Sequence, residues 1–228
     1  MGNNEKPRLG YIHRFIVPSD EMRTRRAQGQ KGERNKFATF LLLHGTGGNE
    51  EDLIPLAQQL GQKAAILSPR GKVLENGVAP RFFRRLAEGI FDIDDLKYRT
   101  NELADFVKDA SNAYDFDVHN VIAVGYSNGA NIGASMLLLR PEILSGAILF
   151  RAMVPLIPEI LPNLTNKHIF MSSGIYDPIV TRQGAEKLFG LFRKTGAKVT
   201  ISWQESGHEL TMEEVQTARE WLQKLIVI

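Results

Sequence analysis

VIAVGYSNGANIGASM, residues 121–136, changes character at its centre. Val121, Ile122, Ala123 and Val124 make a short unbroken apolar run, as a strand buried on both faces requires. From Gly129 onward the small residues Gly129, Ala130, Gly133 and Ala134 suit a helix packed close to its neighbours. Ser127 stands at the join, between Gly125 and Gly129, in a G-x-S-x-G pattern. Glycines at those positions let a strand turn abruptly into a helix, where Cβ atoms would collide, and the turn lifts the serine hydroxyl over the end of the sheet. The bare pattern arises by chance in about one chain in thirteen of this length. Its weight comes from the apolar strand before it and the small-residue helix after it.

On either side, apolar runs alternate with helical periods. Strands are expected at Tyr11–Val17, Phe37–Leu43, Ala64–Leu67, Val118–Val124, Ala147–Phe150, Ile169–Ser172 and Val199–Trp203. Helices are expected within Asp52–Gly61, with Asp52 capping the start and Gly61 the end, and at about Asp95–Tyr114 and Gly129–Leu139. Two more are expected at about Gln183–Lys194, closed by Gly196, and at Met212–Leu225. Strands separated by such helices predict βαβ units: an α/β chain with a mainly parallel central sheet and helices on both faces. No fixed-period repeat or linker divides residues 1–228, so one domain is expected, with a strand and a basic loop in its first 36 residues. Ser68–Leu96 is too long for an idle connection, and is expected to be ordered against a binding site.

Hydrophobic residues form 43% and charged residues 24% of the 228-residue chain, ordinary values for a globular domain. Lys and Arg together number 28 against 26 Asp and Glu, a net charge of +2 that gives no general attraction to nucleic acid or membrane. The basic segment Ser19–Lys36, with Arg23, Arg25, Arg26, Lys31, Arg34 and Lys36, lacks interleaved aromatics and reads as a solvated connection. With no cysteine, disulfides, zinc–thiolate sites and a cysteine nucleophile are all excluded. The opening residues lack a signal-peptide core, and no apolar run approaches the ~20 residues of a membrane span. A cytoplasmic address is expected.

A serine nucleophile needs a base and a group to orient it. Ligands of open α/β sheets sit beyond the carboxyl ends of the strands. That criterion sets aside His119 and His168, at the amino ends of their strands, and His13, within the first strand. His44 reaches the correct edge but suits the shaping of its own Leu43-His44-Gly45 turn. His208, in the loop after Val199–Trp203, is the candidate base. Asp177, in Gly-Ile-Tyr-Asp-Pro after Ile169–Ser172, is the candidate acid, with a simple Asx turn as the alternative. Asp92, Asp94 and Asp95 read better as helix-start residues. An oxyanion hole needs two fixed backbone N–H groups; Asn128 after the serine and Thr46 in the His44-Gly-Thr-Gly-Gly48 loop are the candidates. That loop lacks the Gly-Lys-Ser/Thr ending of a phosphate loop and the spacing of a dinucleotide site. His208-Glu209 lacks the second histidine of a metalloprotease helix, since Met212 stands there, so no metal is expected.

LLLHGTGGNEEDL, GYSNGANIGASML, GIYDPIV and ESGHEL together resemble the carboxylesterase/phospholipase branch of the α/β-hydrolases, which includes the acyl-protein thioesterases. PRG and PRFFRRLAEGIFDIDDL further resemble bacterial hydroquinone- and quinone-stress hydrolases. The resemblance implies an α/β-hydrolase fold with a minimal cap and hydrolysis of a small-molecule carboxylic ester by Ser127, Asp177 and His208. It also implies no cofactor and, in many members, a homodimer. Thioesterases of the branch follow the serine with glutamine, where this chain has Asn128, so thioester specificity does not carry over directly.

Between Phe150 and Ile169 there is room only for a proline-rich loop, not for an inserted lid. A shallow pocket for short acyl or aryl esters is therefore expected, walled by Phe82, Phe83, Ile90 and Met153, with core packing equally open for Phe82 and Phe83. Arg81, Arg84 and Arg85 admit an acidic or enol-lactone substrate, though a solvated face is the favoured reading. Thioesterase, lysophospholipase and dienelactone-type activities are the enzymatic alternatives. A non-catalytic binding module is the alternative from another class, and degraded catalytic parts would be its sign.

Overall fold

The structure is a computed structural model and describes residues 9–18, 37–61 and 63–226. The basic segment 19–36 lies outside the described residues. The strands in chain order are β1 (His13–Ile16), β2 (Thr39–Leu43), β3 (Ala65–Pro69), β4 (Val73–Glu75), β5 (Ala79–Arg81), β6 (Arg85–Ala87), β7 (Ile90–Phe91), β8 (Val121–Tyr126), β9 (Gly146–Phe150), β10 (His168–Gly174) and β11 (Lys198–Gln204). The helices are α1 (Ile54–Leu60), α2 (Ile93–Tyr114), α3 (Asn128–Leu139), α4 (Arg182–Lys194) and α5 (Met212–Ile226).

Successive side chains of a strand point to opposite faces, so a strand buried on both must lie inside a covered sheet. Leu41 and Leu43 of β2 enter one apolar cluster, while Phe40 and Leu42 enter another. Ala147 and Leu149 of β9 divide from Ile148 and Phe150 in the same way. The first cluster is closed by α2, α3 and α4, the second by α1 and α5. Between them runs a seven-stranded sheet of order β1-β3-β2-β8-β9-β10-β11, parallel except for β1.

From β2 the chain passes to β3 on one side, then crosses to β8 on the other. That reversal opens a crevice at the carboxyl ends of β2 and β8, where such sheets bind ligands. Residues 70–92 fold as two small hairpins, β4–β5 and β6–β7, placed over this end.

Three local expectations are corrected. Asp52 does not cap α1, which begins after Leu53 without a side-chain cap and with Pro55 in its first turn; the Asp52 carboxylate lies beside Gly48 instead. Val118–Asn120 is a 3-10 turn, and the strand begins at Val121. Helix α2 starts at Ile93, two residues before Asp95, because Asp92 caps it by accepting the Asp95 N–H.

Candidate active site

Ser127 sits at the corner between β8 and α3 with φ +53° and ψ −113°, a conformation that an L-residue adopts only under constraint. The two glycines explain how the corner closes. A Cβ on Gly125 would lie 2.7 Å from the Ala130 backbone nitrogen, and one on Gly129 would fall onto the Leu43 carbonyl. Helix α3 can therefore press against the end of β2 only with glycine there. The Ser127 N–H donates to the Phe150 carbonyl, fixing the corner to β9.

His208 arrives from the loop after β11. Its Nε2 lies 2.9 Å from Ser127 Oγ, and its Nδ1 lies 2.8 Å from Asp177 Oδ2. A carboxylate can only accept, so the ring proton sits on Nδ1 and Nε2 is left to accept from the hydroxyl. Asp177 follows β10 and is buried. Its Oδ1 accepts the Ile179 and Val180 N–H groups at 2.8 and 2.9 Å, while Oδ2 faces His208. The Asx turn and the histidine contact, alternatives in the sequence, coexist on separate oxygens. Tyr126 donates its hydroxyl to the His208 carbonyl, and burial raises the pKa of that phenol.

The His44–Gly48 loop is held from the hairpin segment. His44 is 2% exposed; its Nε2 accepts the Gly71 N–H at 2.9 Å, so its proton lies on Nδ1, which donates to the Gly45 carbonyl. Burial lowers its pKa, which keeps the ring neutral. The Gly47 and Gly48 N–H groups are taken by the Pro80 and Gly45 carbonyls. Among the described residues no backbone carbonyl takes the Thr46 N–H. Asn128, the first residue of α3, carries one of the N–H groups that a helix leaves without an internal partner. Its side-chain Oδ1 accepts the Phe82 N–H at 2.8 Å and so ties the hairpin segment to the serine corner.

Sequence reasoning missed Arg151, directly after β9. Its side chain is fully buried and its φ is +58°. Its guanidinium makes a two-pronged pair with buried Glu214 of α5, at 2.6 and 2.9 Å. Its Nη2 is shared among Glu214, Ser206 Oγ and the Glu209 carbonyl, and its Nε donates to the Gly207 carbonyl and stands 3.9 Å from Asp177 Oδ2. Residues on both sides of His208 are thus fastened to one cation. The signal was present: an arginine closing the apolar run Ala147–Phe150 is almost never buried without a partner.

Thr46, Tyr126, Ser127, Asn128 and His208 line one cleft of about 270 Å³. Its apolar wall is Phe91, Met153, Ile179 and Val180. Of the expected wall residues only Met153 is in place. Phe82 and Phe83 are 1% and 0% exposed and belong to the core, Phe82 packed on the His44 ring and Phe83 edge-on to Phe91. Ile90 is 57% exposed and turned away; in the two-residue β7 it is its neighbour Phe91 that faces the cleft, as strand alternation requires. The solvated-face reading holds for Arg84 and fails for Arg81, which is 3% exposed and lines the cleft with Arg85. Among the described residues no group of His, Asp and Glu is arranged to hold a metal ion, and no helix is long and apolar enough to cross a membrane.

The fold and this site define an α/β-hydrolase, and the chain belongs to the phospholipase/carboxylesterase family of ester-hydrolysing enzymes, whose family model matches residues 27–226. It is 49% identical over 188 residues to the Bacillus subtilis (strain 168) hydrolase MhqD, covering 82% of this chain and 94% of that one. Among solved structures, a Bacillus cereus carboxylesterase superposes with a TM-score of 0.85 at 46% identity, over 95% of each chain. The protein YahD, solved with malic acid, superposes with a TM-score of 0.81 at 33% identity, over 94% of this chain and 98% of that one.

Proposed function

We propose that the protein hydrolyses short-chain or aryl carboxylic esters through an acyl-enzyme on Ser127. The observation that carries this reading is the unbroken relay from Ser127 Oγ through both ring nitrogens of His208 to Asp177 Oδ2, at 2.9 and 2.8 Å. Ser127 attacks the ester carbonyl as His208 takes its proton, and Asp177 holds the tautomer and stabilises the imidazolium. The Thr46 and Asn128 N–H groups receive the oxyanion. The proton then passes from His208 to the leaving alcohol or phenol, and water repeats the sequence to release the acid.

The cleft supports small substrates. At about 270 Å³ it falls below the usual range of roughly 300–1,000 Å³ for sites that enclose drug-sized ligands. Turnover of nitrophenyl esters is expected to fall steeply as the acyl chain lengthens; equal turnover of long and short chains would favour the lysophospholipase alternative. Ser127→Ala is expected to lower kcat by about 10⁴-fold or more while the fold persists. Near-native turnover in that variant would overturn the assignment.

A further inference from the structure

The hairpin wall of the cleft sets two arginines against a single ion-paired carboxylate, the exposed Glu88 standing apart from both. Arg81 and Arg85 both line it, and both draw on one carboxylate, Glu75. Arg85 takes Glu75 with two prongs, at 2.6 and 3.2 Å, and Arg81 reaches it at 3.3 Å. The other partners of Arg81 are neutral: the Phe83 carbonyl and Thr46 Oγ1, at 3.2 and 2.8 Å. Among the described residues no second carboxylate pairs with either guanidinium; Glu88, the remaining acid of the lining, pairs with neither. Two cations therefore share one anion. Arg151, the third arginine on the cleft, differs, because Glu214 engages it fully.

Arg81 is almost wholly buried, so water does little to stabilise the excess charge. Burial lowers its pKa, repulsion from Arg85 adds to that, and Glu75 offsets only part. Arginine nonetheless keeps its proton, so the cost remains as an uncompensated cation. A brace for the hairpin needs only hydrogen-bond donors; a second full charge against one carboxylate is explained by an anion that arrives with the ligand. Arg81 also touches Thr46, whose N–H is one of the two oxyanion donors proposed above, which places the excess charge next to the reacting ester.

We propose that Arg81 and Arg85 form an anion subsite, and that the esters this cleft prefers carry a carboxylate seated there while the ester carbonyl lies over Ser127. The proposal rests on the esterase reading and names its substrate class. Guanidinium suits the task because its planar fork matches a carboxylate in two-pronged geometry.

The test uses two matched pairs of probes on the whole protein. 4-Acetoxybenzoate against 4-acetoxybenzamide places the charge on the leaving side; monomethyl adipate against methyl hexanoate places it on the acyl side. The ratio of kcat/KM for the anionic over the neutral member cancels most intrinsic reactivity when wild type and variant are compared. In at least one pair this ratio is expected to fall about tenfold in Arg85→Gln, the worth of one charge-assisted hydrogen bond, and to fall with added salt. Arg81→Met should lower the same ratio. If that variant does not fold, Arg85→Gln decides alone, since its side chain is 31% exposed. Ratios unchanged by Arg85→Gln in both pairs overturn the subsite. Ser127→Ala on neutral 4-acetoxybenzamide separates the two readings. Retained hydrolysis there sinks the esterase assignment, whereas lost hydrolysis with unchanged charge ratios sinks the subsite alone.

Discussion

Arg151 shows how much of this site depends on one residue outside the relay. It is held in a left-handed conformation, and its donors reach both sides of His208. Removing one partner of a buried ion pair strands the other, at a cost of about 3–5 kcal/mol. Arg151→Met is therefore expected to lower the unfolding free energy by about that amount. It should also slow turnover with little change in KM, because the loop that carries His208 loses its fastening. The double variant Arg151→Met, Glu214→Leu removes the stranded carboxylate and should recover much of the stability while leaving turnover low. Urea unfolding alongside steady-state kinetics reads both quantities; recovery of full turnover in the double variant would show that the arginine only balances Glu214.

Gly129 meets the Leu43 carbonyl, while Gly190, inside α4, faces open space. Gly129→Ala should abolish soluble folded protein, and Gly190→Ala should stabilise by about 0.5–1 kcal/mol through lower unfolded-state entropy. Thermal unfolding compares them directly; a folded, active Gly129→Ala protein would refute the tight approach of α3 to β2.

His44 joins the His44–Gly48 loop to the hairpins in its neutral form, since protonating Nε2 would oppose the Gly71 N–H. Its folded pKa is lowered, so as pH falls below about 6.5 the unfolded chain binds the proton first and stability declines; above that pH the term is constant. His44→Gln can keep the bond to Gly71 without titrating. Its denaturation midpoint should fall less between about pH 7.5 and 5.5 than that of the wild type. Parallel declines would remove His44 from the pH dependence.

Across the whole molecule, the sheet and its helices were legible because two-face burial and helical period leave strong marks, as in Phe37–Leu43 and Gln183–Lys194. The residues brought together at the serine corner were legible for a related reason: each follows a strand, and a parallel sheet delivers all strand ends to one edge. The wall of the cleft was not. Phe82, Phe83 and Ile90 sit in a segment of short hairpins, where which side faces in depends on turns and on tertiary bonds such as Phe82 N–H to Asn128. Periodicity carries no information over a two-residue strand like β7. Arg151 was hidden, and Arg81 read mainly as solvated, because composition treats charge as surface; only the three-dimensional pairing shows both buried.

Reaction with a fluorophosphonate probe, followed by peptide mass spectrometry, asks whether Ser127 is the nucleophile. The expected result is a single adduct on Ser127, loss of esterase activity in step with labelling, and no labelling of Ser127→Ala. A folded wild-type protein that hydrolyses esters yet stays unlabelled at Ser127, or carries the adduct on another residue, would contradict it.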